Sequence, residues 1–137
     1  MLRSSTETEA LGEALGRGLR AGDVVLLYGE LGAGKTTFAR GLARGAGFRG
    51  RVASPTFALA HAYRGRRLTV HHLDLYRLEG RVDAELGLEE ILADPRGIAV
   101  VEWPGPARRW PARRVEVRLY HARAGRRAVV RDRRRTA

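Results

Sequence analysis

The residues with the clearest chemical potential run from Gly29 to Thr36 and match the pattern G-x-x-x-x-G-K-[ST]. Glycines in such a loop let consecutive backbone N–H groups approach phosphate oxygens. The ammonium group of Lys35 would reach the β and γ phosphates, and the hydroxyl of Thr36 would hold a Mg²⁺ ion. Lys35 is the only lysine in an arginine-rich chain, and the arginine fork cannot replace a compact ammonium. The loop therefore predicts a nucleotide site, in which we expect Lys35 to be solvated before the phosphates bind.

Two carboxylates are predicted to complete a metal site. The apolar run from Gly97 to Val101 is typical of a buried strand and ends at Glu102, where an acidic group can bind Mg²⁺ directly or through water. Asp74 follows another strand-like run and is placed to accept from Mg²⁺-bound water. Two alternatives stay open: Glu102 as a surface residue after a strand, and Asp74 as a helix or turn cap. Neighbouring His71 and His72 point to opposite faces of a strand, so they form a poor metal pair.

Other polar residues are candidates for nucleotide contact. Pro55 holds Ser54 extended and leaves the hydroxyls of Ser54 and Thr56 exposed, as in loops that close over a γ-phosphate; a plain turn is the alternative. Thr8, near the start of the chain, is predicted either to touch the base or to cap a helix. Arg126 is predicted either to reach the base or a phosphate, or to be a solvated cation at a turn.

The predicted elements place these residues in a strand, loop and helix order. A capping-box pattern begins at Ser4, and the following helix is expected to end near Gly22. Its predicted buried face comprises Ala10, Leu11, Ala14, Leu15 and Leu19. The other expected segments are a strand over 23–28, a helix over 35–46, a hairpin of 57–63 and 67–73, short helical stretches within 81–94, a strand over 97–103, and paired strands 114–123 and 127–131. The predicted buried face of the helix over 35–46 comprises Phe38, Ala39, Leu42, Ala43 and Ala46. On the strand over 114–123, one face is predicted to hold Val115, Val117, Leu119 and His121.

Length and composition limit the possible classes of protein. A chain of 137 residues without cysteine predicts one domain, over 1–131, with neither disulfides nor a zinc site, followed by a basic, disordered tail over 132–137. No long apolar run or signal-like start is present, so we expect a cytoplasmic protein without membrane contact. The net charge of +11 is compatible with an RNA partner or with arginines that are simply solvated.

Four blocks together resemble the TsaE (earlier YjeE) family, bacterial ATPases of tRNA threonylcarbamoyladenosine synthesis. They are Gly29 to Phe38, Ser54 to Phe57, His72 to Leu78 and Val101 to Pro104, in family order. The first block alone would indicate only a nucleotide, whereas the four together are specific. The resemblance covers about Thr8 to Arg126. It implies an α/β fold: a single P-loop NTPase domain, three-layer, with a mixed parallel and antiparallel central sheet.

The resemblance also implies ligands, roles and partners. The cofactors would be ATP or ADP and Mg²⁺, with Lys35, Asp74 and Glu102 catalytic and with Thr36, Asp74 and Glu102 around the metal. The partners would be TsaD and TsaB, which transfer threonylcarbamoyl to adenosine 37 of tRNAs that read codons beginning with A. The tRNA would be met through that complex, with direct contact left open. The predicted nucleotide contacts are Glu30, Leu31, Gly32, Ala33, Gly34, Lys35, Thr36, Thr37, Ser54, Thr56, Thr8 and Arg126.

The chain departs from the family pattern in two places. Glu30 stands where the family usually has Asp or Asn, and the arginine-rich segment after Arg126 matches nothing in the pattern. Two other readings are kept: a small-molecule P-loop kinase, for which 137 residues leave little room for a substrate pocket, and a nucleotide-gated RNA-binding module. A GTPase is disfavoured because the guanine-reading motif needs an Asn and the chain has none.

Overall fold

Two helices and six strands make up the described part of the chain. The computed structural model describes residues 4–30, 34–50, 60–74, 93–102, 110–123 and 125–134, without the side chains of Ala60 and Asp74. The helices are α1 (Ser5–Arg17) and α2 (Lys35–Gly45). The strands are β1 (Val24–Gly29), β2 (Ala60–Arg64), β3 (Thr69–Asp74), β4 (Gly97–Glu102), β5 (Val115–Ala122) and β6 (Gly125–Asp132).

The strands form one mixed sheet in the order β2-β3-β4-β1-β5-β6. The four inner strands, β3, β4, β1 and β5, run parallel to one another. The outer strands β2 and β6 are each added by an antiparallel pairing with the strand next to them in the chain. The predicted α/β class with a mixed sheet is confirmed. The predicted helical stretches within 81–94 lie almost wholly outside the described residues.

The core lies between the sheet and the two helices. Val25 and Leu27 of β1 face Phe38 and Leu42 of α2, and all four are fully buried. The predicted inward residues of α2, at 38, 39, 42, 43 and 46, are all buried, so this part of the prediction is confirmed. Because successive strand residues point to opposite faces, the inward set on β5 is Val115, Val117 and Leu119, also as predicted, whereas His121 is exposed.

Helix α1 packs on α2 through glycines, which corrects part of the predicted buried face. Leu19 is buried and Leu11 and Leu15 pack half-buried against the core, as predicted, whereas Ala10 and Ala14 are exposed. The fully buried residues within α1 are Thr8, Gly12 and Gly16. A Cβ on Gly12 or on Gly16 would lie 2.2 Å from a backbone oxygen of α2. On α2 the same holds for Gly41, whose Cβ would lie 1.9 Å from the Glu9 oxygen. The two backbones therefore touch, which a face of larger apolar side chains would prevent.

Arg67, in the turn between β2 and β3, binds the carboxyl ends of both helices. Its guanidinium donates to the carbonyl oxygens of Leu19 at 2.6 Å and Gly16 at 2.7 Å, and to that of Gly45 at 3.3 Å. A cation at a helix carboxyl end offsets the negative end of the helix dipole and pairs carbonyls that have no partner within the helix. The hairpin is thereby joined to the helical layer.

Several predicted boundaries differ from the structure. Helix α1 ends at Arg17, with Gly18 as its C-cap, and not near Gly22. Gly22 lies in the following turn at φ +92°, and its N–H donates to the carbonyl oxygen of Gly97. Arg126 belongs to β6 and pairs with His121, so it is not a turn residue. Arg134, within the predicted tail, makes ion pairs with Asp23 and Asp132, while residues 135–137 lie outside the description. None of the described helices is long and apolar enough to span a membrane.

Candidate functional site

The phosphate-binding pattern lies where β1 passes into α2, as expected. β1 ends at Gly29 and α2 begins at Lys35, with Gly34 as its N-cap at φ +101°, a conformation that favours glycine. Gly34 supplies no side-chain cap, and the first turn of α2 carries no acidic residue. Helix α1 differs, because Ser4 Oγ accepts from the N–H of Glu7 there. The start of α2 thus retains backbone donors for an anion, which is the chemistry of a phosphate site.

Lys35 is buried, which corrects the expectation that it is solvated. The residue is 6% exposed, and its Nζ donates to the carbonyl oxygen of Gly29 at 2.5 Å and to that of Glu30 at 3.3 Å. These bonds tie the first turn of α2 to the end of β1 across the loop. The ammonium group therefore has a structural contact in addition to the phosphate contact that the sequence predicts.

Thr8 and Arg126, far apart in the sequence, meet at Gly34. A Cβ on Gly34 would lie 3.2 Å from Arg126 Cδ and 3.4 Å from the methyl carbon of Thr8. Thr8 is fully buried, and its hydroxyl donates to the carbonyl oxygen of Ser4 at 3.3 Å. Ser4, not Thr8, is the N-cap of α1. The structure thus brings both candidate contacts to the loop, and the positive φ of Gly34, together with these close neighbours, favours glycine at position 34.

Glu102 and Asp74 lie beside one another at the carboxyl end of the sheet. They are register partners on the parallel strands β4 and β3, and Glu102 is also the register partner of Leu27, two residues before Gly29. The carboxyl ends of neighbouring parallel strands form the usual ligand-binding edge of an open α/β sheet. The two predicted carboxylate positions are therefore next to the end of β1.

Each of the adjacent histidines pairs with a different carboxylate. His72 is fully buried, and its Nε2 lies 2.5 Å from Oε2 of Glu102, whose side chain is 6% exposed. His71 Nε2 lies 2.7 Å from Asp94 Oδ2, and both of those side chains are partly exposed. Sequence reasoning rejected the two as a metal pair but missed the partner of His72. Its position two residues before Asp74, on a strand that ends at the site, was the available signal.

An open cavity of about 370 Å³ lies beside the loop. Arg118 stacks over the Tyr28 ring at 4.1 Å, and burial, followed by the negative charge of Glu116, raises the pKa of Tyr28. Among the described residues, the cavity is lined by Tyr28, Gly29, Glu30, Arg118, Leu119, Tyr120 and His121.

The predicted magnesium ligands are of a suitable chemical type. A threonine hydroxyl and two carboxylates are hard oxygen donors, which Mg²⁺ prefers. The described residues contain no group of three or more His, Cys, Asp or Glu side chains that could hold a metal, but the side chain of Asp74 is not among them. Convergence of Thr36, Asp74 and Glu102 on one ion stays a prediction. Thr37 belongs to the first turn of α2, and the predicted contacts Leu31, Gly32, Ala33, Ser54 and Thr56 lie outside the described residues.

Comparison with known proteins gives a consistent result. The family model "Threonylcarbamoyl adenosine biosynthesis protein TsaE" matches residues 2–129. A TsaE protein of Streptomyces coelicolor is 50% identical over 97 residues, which is 68% of this chain and 64% of that protein. A Mycobacterium leprae TsaE is 43% identical over 128 residues, 85% of this chain and 78% of that protein. The crystal structure of Bacillus subtilis YdiB superposes with a TM-score of 0.76 at 32% identity, covering 93% of this chain and 78% of that one.

Proposed function

Because the chain belongs to the TsaE family of threonylcarbamoyl adenosine biosynthesis proteins, we propose that it is a Mg²⁺-dependent ATPase serving that tRNA modification. The observation that carries this proposal is the junction of β1 and α2. There, an uncapped helix start and the ammonium of Lys35 lie next to the strand that ends in Glu102. Backbone donors, a fixed cation and carboxylates at one sheet edge are the parts that phosphoryl transfer requires.

In this proposal, different residues would bind the phosphates, the nucleoside and the metal. The N–H groups at the start of α2 and Nζ of Lys35 would bind the phosphates, while Thr8 and Arg126 would lie beside the nucleoside. Thr36, Asp74 and Glu102 would hold Mg²⁺, which supplies charge neutralisation on the phosphate oxygens when it is bound. The carboxylate of Glu102 lies in a buried hydrogen bond with His72.

ATP hydrolysis by this chain would have no effect on the modification unless exchanging ATP for ADP changed a surface that a partner protein binds. We therefore propose ATP-dependent association with TsaD and TsaB in the cytoplasm, with the loop containing Ser54 and Thr56 as the segment that responds to nucleotide. The isolated chain should hydrolyse ATP weakly, since a small open site shields the γ-phosphate poorly from water. Both partners together should stimulate turnover.

The test combines the purified chain with TsaD and TsaB from the same source. We expect a complex that forms with ATP and Mg²⁺, and hydrolysis that rises when both partners are present. Glu102→Ala should still join the complex with ATP but fail in repeated rounds of tRNA modification. Full ATPase activity without partners, or undiminished multiple turnover by Glu102→Ala, would contradict the proposal.

A second candidate function is nucleotide-gated RNA binding, and one surface favours it. We call this surface the Arg–Tyr face: Tyr28, Arg118, Tyr120 and Arg127 lie on the side of the β1, β5 and β6 strands that faces away from α1 and α2. Tyr120 is 45% exposed. Arginines and an exposed aromatic ring on an open sheet can bind phosphates and stack on bases. A salt titration of tRNA binding, described in the Discussion, separates the two functions.

A further inference from the structure

We propose that His72 is a positioning residue, which fixes the carboxylate of Glu102 for the metal by donating a hydrogen bond from Nε2 to Oε2. This inference rests on the proposed function, since it concerns the same metal site. It assigns a role to a side chain outside the predicted nucleotide and metal contacts. The argument depends on burial, on the two nitrogens of the imidazole ring and on the register of β3 and β4.

The burial of the pair makes the hydrogen bond important. The side chain of His72 is 0% exposed and that of Glu102 is 6% exposed, so water hardly reaches the contact between them. A buried carboxylate without a donor is unfavourable, and it would turn toward any donor within reach. Nε2 of His72, at 2.5 Å, is the donor that the fold supplies. The bond therefore determines which way the carboxylate of Glu102 points.

The other ring nitrogen indicates where the proton lies. Nδ1 of His72 is buried and has no hydrogen-bond partner in the part of the chain that the structure describes. A buried N–H without an acceptor costs more than a lone pair without a donor, and an ionised carboxylate can only accept. The proton therefore belongs on Nε2, which makes His72 the donor and Glu102 the acceptor. Oε2 thus accepts one hydrogen bond, which leaves its second lone pair and Oε1 for an ion.

The backbone fixes the distance between the two side chains. His72 and Glu102 lie on neighbouring parallel strands, with His72 opposite Val100 and Asp74 opposite Glu102. His72 therefore lies two residues away from the position directly opposite Glu102, and its imidazole ring is long enough to reach across that distance. Partners of this kind orient the carboxylates and histidines that bind metals, and removing one typically weakens metal binding about 10- to 100-fold.

The chain supplies matched variants for a test. In His72→Gln the side-chain amide nitrogen extends about as far as Nε2, whereas in His72→Asn it reaches only about as far as Nδ1. His71→Asn is the control, because His71 is the next residue, pairs with Asp94 and points to the opposite side of the strand. All three variants stay polar and differ in whether a donor can reach Glu102.

The first measurement is the affinity of Mn²⁺ for the protein in the presence of ADP, detected by electron paramagnetic resonance. The affinity for ADP alone is measured in EDTA, where no metal is available. We expect His72→Asn to bind Mn²⁺ about 10- to 100-fold more weakly, and His72→Gln and His71→Asn to stay within about 3-fold of the parent. ADP affinity in EDTA should not change. Parent-like Mn²⁺ affinity in folded His72→Asn, or equal losses in Asn and Gln, would overturn the inference.

The second measurement uses the unaltered protein, so it does not depend on whether a variant folds. In ¹⁵N-labelled protein, the His72 ring should show a slowly exchanging proton on Nε2, and its resonance should shift when Mg²⁺ and ADP are added. Protonation on Nδ1 instead would overturn the inference. If the parent protein itself bound no metal with nucleotide, the proposed function would fail, and the inference with it.

Discussion

At the scale of single residues, Lys35 is the most informative position because it contacts the loop backbone and is predicted to bind phosphate. In Lys35→Ala, loss of charge-assisted hydrogen bonds should weaken ATP binding by about 10- to 100-fold. The midpoint of thermal unfolding should also fall, because the bond from Nζ to Gly29 is lost. Calorimetric titration and circular dichroism measure the two effects.

The control for Lys35 is Arg40→Ala. Arg40 lies on the same helix, is exposed, and also carries one positive charge. Arg40→Ala should leave ATP affinity within about 3-fold of the parent, since a solvent-exposed charge contributes little to binding. Equal losses in the two variants would show that the overall charge, rather than the loop, binds the nucleotide.

Asp94 provides a prediction about pH that is independent of the nucleotide. The hydrogen bond from His71, followed by the backbone N–H of Arg96, lowers the pKa of the Asp94 carboxyl below its ordinary 3.8. A carboxyl with a lower pKa in the folded state stabilises the fold above its unfolded pKa, and this contribution is lost as pH falls through the folded pKa. Asp94→Asn should therefore be less stable than the parent at pH 6.

Urea unfolding between pH 6 and pH 3 measures the Asp94 effect. The difference in unfolding free energy between parent and Asp94→Asn should shrink as pH falls below 3.8, because the parent then protonates the same group. Asp132→Asn is the comparison variant, because the Asp132 carboxylate accepts from Arg134 instead. A difference that stays constant down to pH 3 would contradict the assigned cause.

At the scale of elements, the contact of α1 with α2 depends on glycine. Gly41→Ala puts a Cβ 1.9 Å from the Glu9 oxygen, so the helices must separate. Although alanine favours helix by about 1 kcal/mol, overpacking should dominate and destabilise the protein by about 1–3 kcal/mol. ADP affinity should fall too, because a shift of α1 moves Thr8 away from Gly34.

Gly18→Ala is the matched control for Gly41→Ala. At Gly18 the nearest atom to a new Cβ is the Leu15 oxygen at 3.6 Å, an ordinary contact, and the backbone has a φ of −93°. Its unfolding free energy should stay within about 0.5 kcal/mol of the parent. Chemical denaturation of both variants tests the pair, and a tolerated Gly41→Ala would show that the helix contact is not close.

At the scale of the whole molecule, the net charge of +11 should give weak, salt-sensitive tRNA binding. We expect binding of the isolated chain to be lost by about 0.2 M salt and to be unchanged in Tyr120→Ala, since counterion release requires no particular aromatic ring. Fluorescence anisotropy with labelled tRNA measures this. Tight binding at 0.15 M salt that Tyr120→Ala weakens tenfold would favour the RNA-binding function and the Arg–Tyr face.

Local patterns in the sequence were sufficient to predict the helix and strands that surround the site. The loop from Gly29 to Thr36, the buried face of α2 and the strand ending at Glu102 were all predicted, because each depends on residues close together in the chain. The four blocks also predicted the family and the α/β class with a mixed sheet. Element ends were less certain: Gly18 and Gly22 are both plausible helix terminators, and only the backbone path distinguishes them.

Tertiary structure alone decided which side chains meet. Thr8 and Arg126 converge on Gly34, His72 pairs with Glu102, and Arg67 binds the ends of two helices, although the partners are distant in sequence. The buried face of α1 was mispredicted at Ala10 and Ala14, because hydrophobic periodicity assumes that apolar side chains turn inward, whereas Gly12 and Gly41 allow backbone contact. Sheet order and register set these pairings, and no pattern within one segment contains that information.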